Sequence, residues 1–185
     1  MSMFRFANPG YPEDDVKPMR DELEVVGAHS LRSVQDVGNV LGGGKGTTLV
    51  VVNSVCGCAA GGARPGVSAA LQNRMIPDQI TTVFAGVDRE ATARARQYIT
   101  NFPASSPSIA LFKDGEVVYM MERHMIEGKG PDQIAGELAA QFDKHCAKTG
   151  PSIPAEQFEN LQFVQVCGSQ LAAKAKALAK AAAQN

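Results

Sequence analysis

Two cysteines stand one residue apart in the stretch VVNSVCGCAAGGARPG, which begins at Val51. Cys56 and Cys58 flank Gly57, follow an apolar run and precede a segment rich in glycine and alanine. A pair of this kind can be a metal clip, a redox couple or two small core residues. Which of these three roles the pair has depends on the helices and strands that position the two thiols.

The thiols follow a predicted buried strand. Apolar and β-branched residues dominate positions 47–55, which is typical of a strand buried on both faces at the centre of a sheet. Residues 65–72 predict the opening of a helix, with Pro65 near its start. Chemistry collects at the carboxyl ends of strands in open α/β sheets, and a helix N-terminus favours thiolate over thiol. We therefore expect Cys56 to be the nucleophile and Cys58 the resolving thiol.

The one-residue spacing also favours a redox couple. Two residues at i and i+2 can bring their Cα atoms to about 4.4–6.8 Å across a turn, as a disulfide requires, and Gly57 supplies backbone freedom. A strained small ring is readily reduced, which suits a protein that accepts and releases a mixed disulfide. The metal alternative needs two more ligands, and no second close pair has convenient zinc-like spacing. The remaining candidate ligands are His29, His124, His145, Cys146 and Cys167.

Periodicity along the rest of the chain predicts helices and strands in alternation. Helices are expected at residues 13–26, Val34–Leu41, from the capping residue Asp88 to about 99, and 131–147; strands are expected at 28–32, 81–87, 108–112 and Glu116–Met121. The Asp-Gly signal at Asp114 and Gly115 predicts a hairpin between the last two strands. This order predicts an α/β fold in which helices cover both faces of a central mixed sheet.

The composition changes after the last of these helices. We expect one domain over residues 1–147, then a linker (TGPSIP) and an Ala/Lys/Gln-rich helical C-terminal extension within 148–185. The apolar positions of the extension are expected to pack against the domain or a second copy of the chain, which would make a homo-oligomer. These positions are Phe158, Leu161, Val164 and Leu171.

The bulk composition narrows the classes of partner. The formal net charge is −1, and no long basic block supplies the footprint of a nucleic-acid or membrane-surface protein. No apolar run approaches the roughly 18 residues of a membrane span, and the N-terminus lacks a secretory signal pattern. We therefore expect a cytoplasmic protein whose partners are proteins or small molecules. In that compartment structural disulfides are uncommon, so the pair points to catalysis, redox sensing or metal binding.

Ser106-Pro107-Ser108 precedes the predicted strand SIALF. A proline between two short polar residues at the start of a strand suits a cis turn or an ordinary trans turn. A cis turn would place backbone beside the nucleophile and offer a strand-like edge to a bound peptide.

Four stretches closely resemble the bacilliredoxins, bacterial thioredoxin-like proteins with a Cys-Gly-Cys active site. They are TTLVVVNSVCGCAAGGARPG, TTVFAGVDREATARARQYI, SSPSIALFKDGEVVYMMERHMIEG and FDKHC, and the likeness covers residues 16–146. The resemblance implies a thioredoxin-like fold in which Cys56 attacks a mixed disulfide, most characteristically on a protein bearing bacillithiol, and Cys58 resolves the adduct. It implies no bound cofactor, with the small thiol as co-substrate.

The resemblance also extends to residues around the pair. Pro107 matches the cis-proline of thioredoxin-like folds, and Arg64 and Pro65 match the segment after the active site. A cation there can favour a nearby thiolate or contact an anionic thiol. Gly62 and Gly66 depart from the pattern and are expected to loosen the helix start. Two further functions stay open: disulfide isomerisation, and a metal-binding or thiol-sensing module without turnover.

Overall fold

The computed structural model describes residues 11–163, and a five-stranded mixed sheet lies at its centre. The strands are β1 (His29–Ser30), β2 (Thr47–Asn53), β3 (Met75–Ile76), β4 (Gln79–Phe84), β5 (Ser108–Lys113), β6 (Glu116–Met121) and β7 (Lys148–Thr149). The sheet order is β1-β4-β2-β5-β6, with β1, β4 and β2 parallel and β5 and β6 antiparallel. β3 and β7 form a separate two-stranded sheet.

Seven helices accompany the strands in residues 11–163. They are α1 (Glu13–Glu24), α2 (Val34–Leu41), α3 (Arg64–Ala70), α4 (Arg89–Tyr98), α5 (Arg123–Ile126), α6 (Pro131–His145) and α7 (Ala155–Glu159). α1, α3 and α6 contribute to the core on one face of the sheet, and α2 and α4 to the core on the other. The predicted α/β fold, a central mixed sheet with helices on both faces, is confirmed.

The central strand β2 explains the continuous apolar run in the sequence. All seven of its residues are buried. Successive side chains point to opposite faces of a strand, so Leu49 and Val51 pack in one core while Val50 and Val52 pack in the other. A strand covered on both sides cannot alternate apolar with polar residues, because each face is a core.

The hairpin between β5 and β6 forms as predicted. Asp114 and Gly115 both have positive φ, 51° and 87°, which is the backbone of a turn that matches the twist of the flanking strands. The Asp114 N–H donates to the carbonyl of Gly46, which fixes this turn to the loop before β2.

The side chain of Asp88 does not cap α4, although residue 88 does precede that helix. Its carboxylate accepts hydrogen bonds from Arg20 Nη1 at 2.6 Å and Nη2 at 2.9 Å. Arg20 is 1% exposed and lies over the Phe84 ring, 5.1 Å from its centroid. A buried guanidinium needs a charged partner more than the helix end needs a side-chain cap, so the capping prediction is wrong.

Residues 148–163 lie against the domain. β7 pairs with β3 in antiparallel register, and Ile153 and Leu161 pack on the core that α3 and α6 share. The TGPSIP segment is therefore packed and is not a free linker. The division at residue 147 and the homo-oligomer stay predictions, since Val164, Leu171 and the rest of the extension lie outside the described residues.

Residues 11–163 lack two features that would bear on function. No helix in this part of the chain is long and apolar enough to cross a membrane. Within the same residues, no group of three or more His, Cys, Asp or Glu side chains is arranged to hold a metal ion.

Candidate active site

Cys56 lies where β2 gives way to a helix. The backbone is helical from Gly57 onwards and passes through a π-helical turn, Ala59–Ala63, into α3. The carbonyl of Cys56 accepts from the N–H groups of Ala59 and Ala60, both at 3.1 Å. Cys56 is therefore the residue that precedes the first helical turn, where unpaired N–H groups and the helix dipole favour an anion.

The helix begins earlier than the sequence predicts. Pro65 was expected near the start of the helix, but eight residues of helical backbone, from Gly57, precede it. Proline has no N–H to donate inside a helix, and the π-helical turn lies just before it. In that turn the Arg64 N–H donates to the carbonyl of Ala59, five residues back.

The two cysteine sulfurs are in direct contact. Cys56 Sγ lies 2.6 Å from Cys58 Sγ and 3.1 Å from the hydroxyl oxygen of Ser54. Both thiols are half-buried, and Cys58 packs against the core that includes α3 and α6. The i, i+2 spacing therefore brings the two thiols together at the start of one helix, as the sequence predicts.

The environment separates the acidities of the two thiols. Burial raises the pKa of Cys56, but hydrogen bonds from Cys58, Ser54 and the Ala59 N–H and the charge of Arg123 outweigh it, so the pKa lies below its ordinary value. Burial, the hydrogen bond to Cys56 and the charge of Cys56 raise the pKa of Cys58 to about 11. The two thiols therefore differ in acidity, and Cys56 loses its proton more readily than Cys58.

Gly57 is not required by its backbone conformation. It does not adopt a positive φ, and a Cβ built on it meets nothing within 4 Å. The expectation that Gly57 supplies special backbone freedom is therefore not met in this arrangement of the two thiols.

Gly62 and Gly66 bring the active-site helix close to α6. A Cβ on Gly66 would lie 2.7 Å from Ile134 Cγ2 and 3.1 Å from the carbonyl oxygen of Pro131, and one on Gly62 would lie 3.2 Å from Ile134 Cδ1. The expectation that these glycines loosen the helix start is wrong. They permit a close helix–helix contact, which holds the helix in place behind the cysteines.

Arg64 is a buried residue beneath the active-site turn. It is 0% exposed, and its Nε donates to Glu22 Oε2 at 2.6 Å. Its Nη1 donates to the carbonyl of Ser54 at 3.1 Å and to Asn53 Oδ1 at 3.4 Å. A side chain without exposed surface cannot contact a soluble anionic thiol, so the expectation that Arg64 does so is wrong. Arg64 instead ties the end of β2 to α1 and α3.

Pro107 directly precedes β5, at the end of the sheet where β2 finishes. Ser108 pairs with Val52 in the antiparallel register of β2 and β5, and the peptide between Ser106 and Pro107 is cis. Of the two alternatives left open by the sequence, the cis turn is the one observed. Pro107 itself is buried.

Arg123 is the cation at the mouth of the site. Its side chain is 48% exposed, its Nη1 donates to the carbonyl of Ser106 at 3.3 Å, and its Nε pairs with Glu127 at 2.6 Å. Its positive charge contributes to the lowered pKa of Cys56 and opposes the rise in the pKa of Cys58. β6 pairs Met121 with Ile109 of β5 and so brings the following residues to the edge where the cis turn lies.

Sequence reasoning missed Ser54 and Arg123. Ser54 stands two residues before Cys56, as Cys58 stands two after it, and a hydroxyl at that distance from a nucleophile is a usable signal. Arg123 stands in the motif MMERHM, far from the cysteines along the chain, and the pairing of β5 with β6 is what brings it near.

The comparisons with known proteins agree on one family. The model of the family described as Disulphide isomerase matches residues 11–146. A bacilliredoxin of Staphylococcus epidermidis is 50% identical over 136 residues, which are 74% of this chain and 93% of that protein. A bacilliredoxin of Koribacter versatilis is 47% identical over 139 residues, which are 75% of this chain and 96% of that protein.

Among solved structures, this chain is similar to a thioredoxin of Malassezia sympodialis. The two superpose with a TM-score of 0.43 at 18% sequence identity, covering 65% of this chain and 91% of that one.

Proposed function

The chain belongs to the bacilliredoxin family and is a thiol–disulfide oxidoreductase, and we propose that it removes a low-molecular-weight thiol from protein mixed disulfides. The co-substrate is a small thiol of the bacillithiol type, and the protein partners are thiolated cytoplasmic proteins. The observation that carries this proposal is the unequal acidity of two thiols in contact: the pKa of Cys56 is lowered and that of Cys58 is raised.

In the first step, the Cys56 thiolate attacks the sulfur of the small thiol in the mixed disulfide. A new S–S bond forms between Cys56 and the small thiol, the old S–S bond breaks, and the protein substrate leaves as a thiolate that takes a proton from water. The lowered pKa of Cys56 supplies the thiolate that this attack requires. Burial limits solvation of the thiolate, so the Ser54, Cys58 and Ala59 donors replace water.

The first step itself prepares Cys58 for the second. A hydrogen bond to Cys56 and the negative charge on Cys56 both raise the pKa of Cys58 in the reduced protein. When Cys56 becomes part of a mixed disulfide its charge disappears, so the pKa of Cys58 falls. The Cys58 thiolate then attacks Cys56 Sγ and releases the small thiol, leaving a Cys56–Cys58 disulfide. Alternatively, a second small thiol attacks the adduct and forms the symmetrical small-thiol disulfide.

The experiment is de-thiolation of a single-cysteine carrier protein that bears the small thiol. Cys56→Ser is expected to abolish release of the carrier thiol, because the neighbouring thiol, Cys58, has a raised pKa and cannot replace Cys56 as the nucleophile. Cys58→Ser is expected to retain the first step, with a persistent Cys56 adduct visible by mass spectrometry. Cys146→Ser serves as the control, since Cys146 is buried in the core away from this turn. Undiminished release by the Cys56→Ser variant would contradict the proposal.

Disulfide isomerisation is the second candidate, and the match to the family described as Disulphide isomerase favours it. The same Cys56 thiolate would attack a non-native protein disulfide, and the adduct would be resolved by another thiol of the substrate. Reactivation of a scrambled disulfide protein, in a buffer that gives no net reduction, distinguishes this activity from de-thiolation.

A further inference from the structure

Arg123 is bonded to the cis turn, its side chain is half-exposed, and its charge is felt by both thiols. Its charge acts on the sulfurs of Cys56 and Cys58, and its Nη1 holds the Ser106 carbonyl. This charge is one of the causes of the lowered pKa of Cys56. A half-exposed guanidinium whose charge acts on a half-buried nucleophile also acts on a charged group that is bonded to that nucleophile after the attack.

The guanidinium has donors to spare for a ligand. It carries five N–H groups, and the structure uses Nε for Glu127 and Nη1 for Ser106. Nearly half of the side chain is exposed, as is half of Glu127. An exposed i, i+4 ion pair of this kind is weak, so an incoming anion can compete with Glu127 for the same guanidinium.

The reaction changes the charge next to Arg123. Before the attack, Arg123 has the Cys56 thiolate as an anionic neighbour; after it, the sulfur of Cys56 is a neutral disulfide sulfur. A carboxylate carried by the small thiol would replace the lost negative charge at the moment the S–S bond forms. The small thiol is the half of the substrate that becomes bonded to Cys56, whereas the protein half leaves.

We propose that Arg123 binds a carboxylate of the small thiol and makes the site selective for mixed disulfides of anionic thiols. This inference rests on the proposed de-thiolation activity and names its substrate class. Ser106 positions the guanidinium through its carbonyl, and Glu127 is the competing anion. Arg123 thereby acts in two successive states of one site, first on a thiolate and then on a carboxylate.

The test uses one single-cysteine carrier protein with three adducts of similar size. The adducts are 3-mercaptopropionate, which carries a carboxylate, its neutral amide 3-mercaptopropionamide, and the cationic cysteamine. The measured quantity is the ratio of kcat/KM for the carboxylate adduct to that for the amide adduct. In this ratio any change in the reactivity of Cys56 cancels, because both adducts meet the same nucleophile.

The wild-type protein is expected to prefer the carboxylate adduct about fivefold over the amide, as one partly exposed charge-assisted hydrogen bond provides, and to be slowest on cysteamine. Arg123→Gln is expected to bring the ratio close to one. Arg123→Lys retains the charge without the planar fork and is expected to give an intermediate ratio. Glu127→Gln removes the competing anion and is expected to raise the ratio.

Three results would overturn the inference while leaving the proposed function intact. The first is a wild-type ratio near one with full turnover on every adduct. The second is an unchanged ratio in Arg123→Gln. The third concerns the neutral amide adduct on a carrier with an acidic residue placed next to its cysteine: turnover rises with that acidic residue, and the rise is lost in Arg123→Gln. The anion that Arg123 binds would then belong to the protein half of the mixed disulfide. Absence of turnover on all three adducts overturns the proposed function itself.

Discussion

Two arginines near the active-site turn differ in burial. Arg64 is completely buried with Glu22 and Asn53, and we call these three residues the floor. Arg123 is half-exposed with Glu127 and the Ser106 carbonyl, and we call these three the rim. The floor binds backbone at the end of β2, whereas the rim acts on the sulfurs.

The difference shows that burial decides what a cation near a cysteine does. A buried guanidinium has its charge matched by a buried carboxylate, since unpaired charge in the interior is costly, and this pairing holds it in one position. An exposed guanidinium keeps weaker partners and can exchange them. The floor should therefore govern stability, and the rim should govern reactivity and substrate choice.

The largest expected effect comes from breaking the floor. Arg64→Met leaves Glu22 buried without its guanidinium partner, so the free energy of unfolding should fall by about 3–5 kcal/mol. Urea denaturation followed by circular dichroism measures it. The double variant Glu22→Leu/Arg64→Met removes both charges and should recover part of this loss. Equal stability of Arg64→Met and Arg123→Met would remove the distinction between floor and rim.

A smaller effect is expected at the contact between the active-site helix and α6. Gly66→Ala places a Cβ 2.7 Å from Ile134 Cγ2, and the repacking should cost about 1–3 kcal/mol of the free energy of unfolding. Gly57→Ala is the matched control, because its Cβ meets nothing within 4 Å. The same denaturation experiment reports both. Equal loss in the two variants would mean that helix packing does not set the difference.

The smallest expected effect is on the acidity of the nucleophile. Ser54→Ala removes a donor that favours the Cys56 thiolate, so the pKa of Cys56 should rise and its alkylation midpoint should move to higher pH. Ser54→Thr keeps the hydroxyl and should move the midpoint less. The rate of Cys56 alkylation against pH, followed on the Cys56 peptide by mass spectrometry, measures the shift. A midpoint unmoved by Ser54→Ala would exclude the hydroxyl from thiolate stabilisation.

The fold and the position of the thiols are readable from the sequence for a physical reason. A central strand with a core on each face is dominated by apolar residues, so the strand predicted over residues 47–55 is found, although it ends at Asn53. The thiols after it lie at the carboxyl end of a parallel strand. The hairpin at Asp114 and Gly115 follows as directly, because its turn needs positive φ at two successive residues.

The residues whose roles were misassigned or missed depend on contacts between distant segments. Arg64 stands close to Cys56 in sequence, but only the position of Glu22 on α1 shows that it is buried and paired. The pairing of β5 with β6 brings Arg123 near the thiols. Gly66 reads as a flexible residue until Ile134 of α6 is placed against it. The local sequence around Arg64, Arg123 and Gly66 carries no information on these contacts.

The shared proton of the two cysteines has a consequence for the reduction potential. Between the lowered pKa of Cys56 and the raised pKa of Cys58, about 11, the reduced pair holds one proton, on Cys58, whereas the oxidised pair holds none. Two electrons then leave with one proton, so the potential of the couple should fall by about 30 mV per pH unit between the two pKa values. Below the pKa of Cys56 two protons leave and the slope doubles. Acidification therefore makes the couple steadily more oxidising.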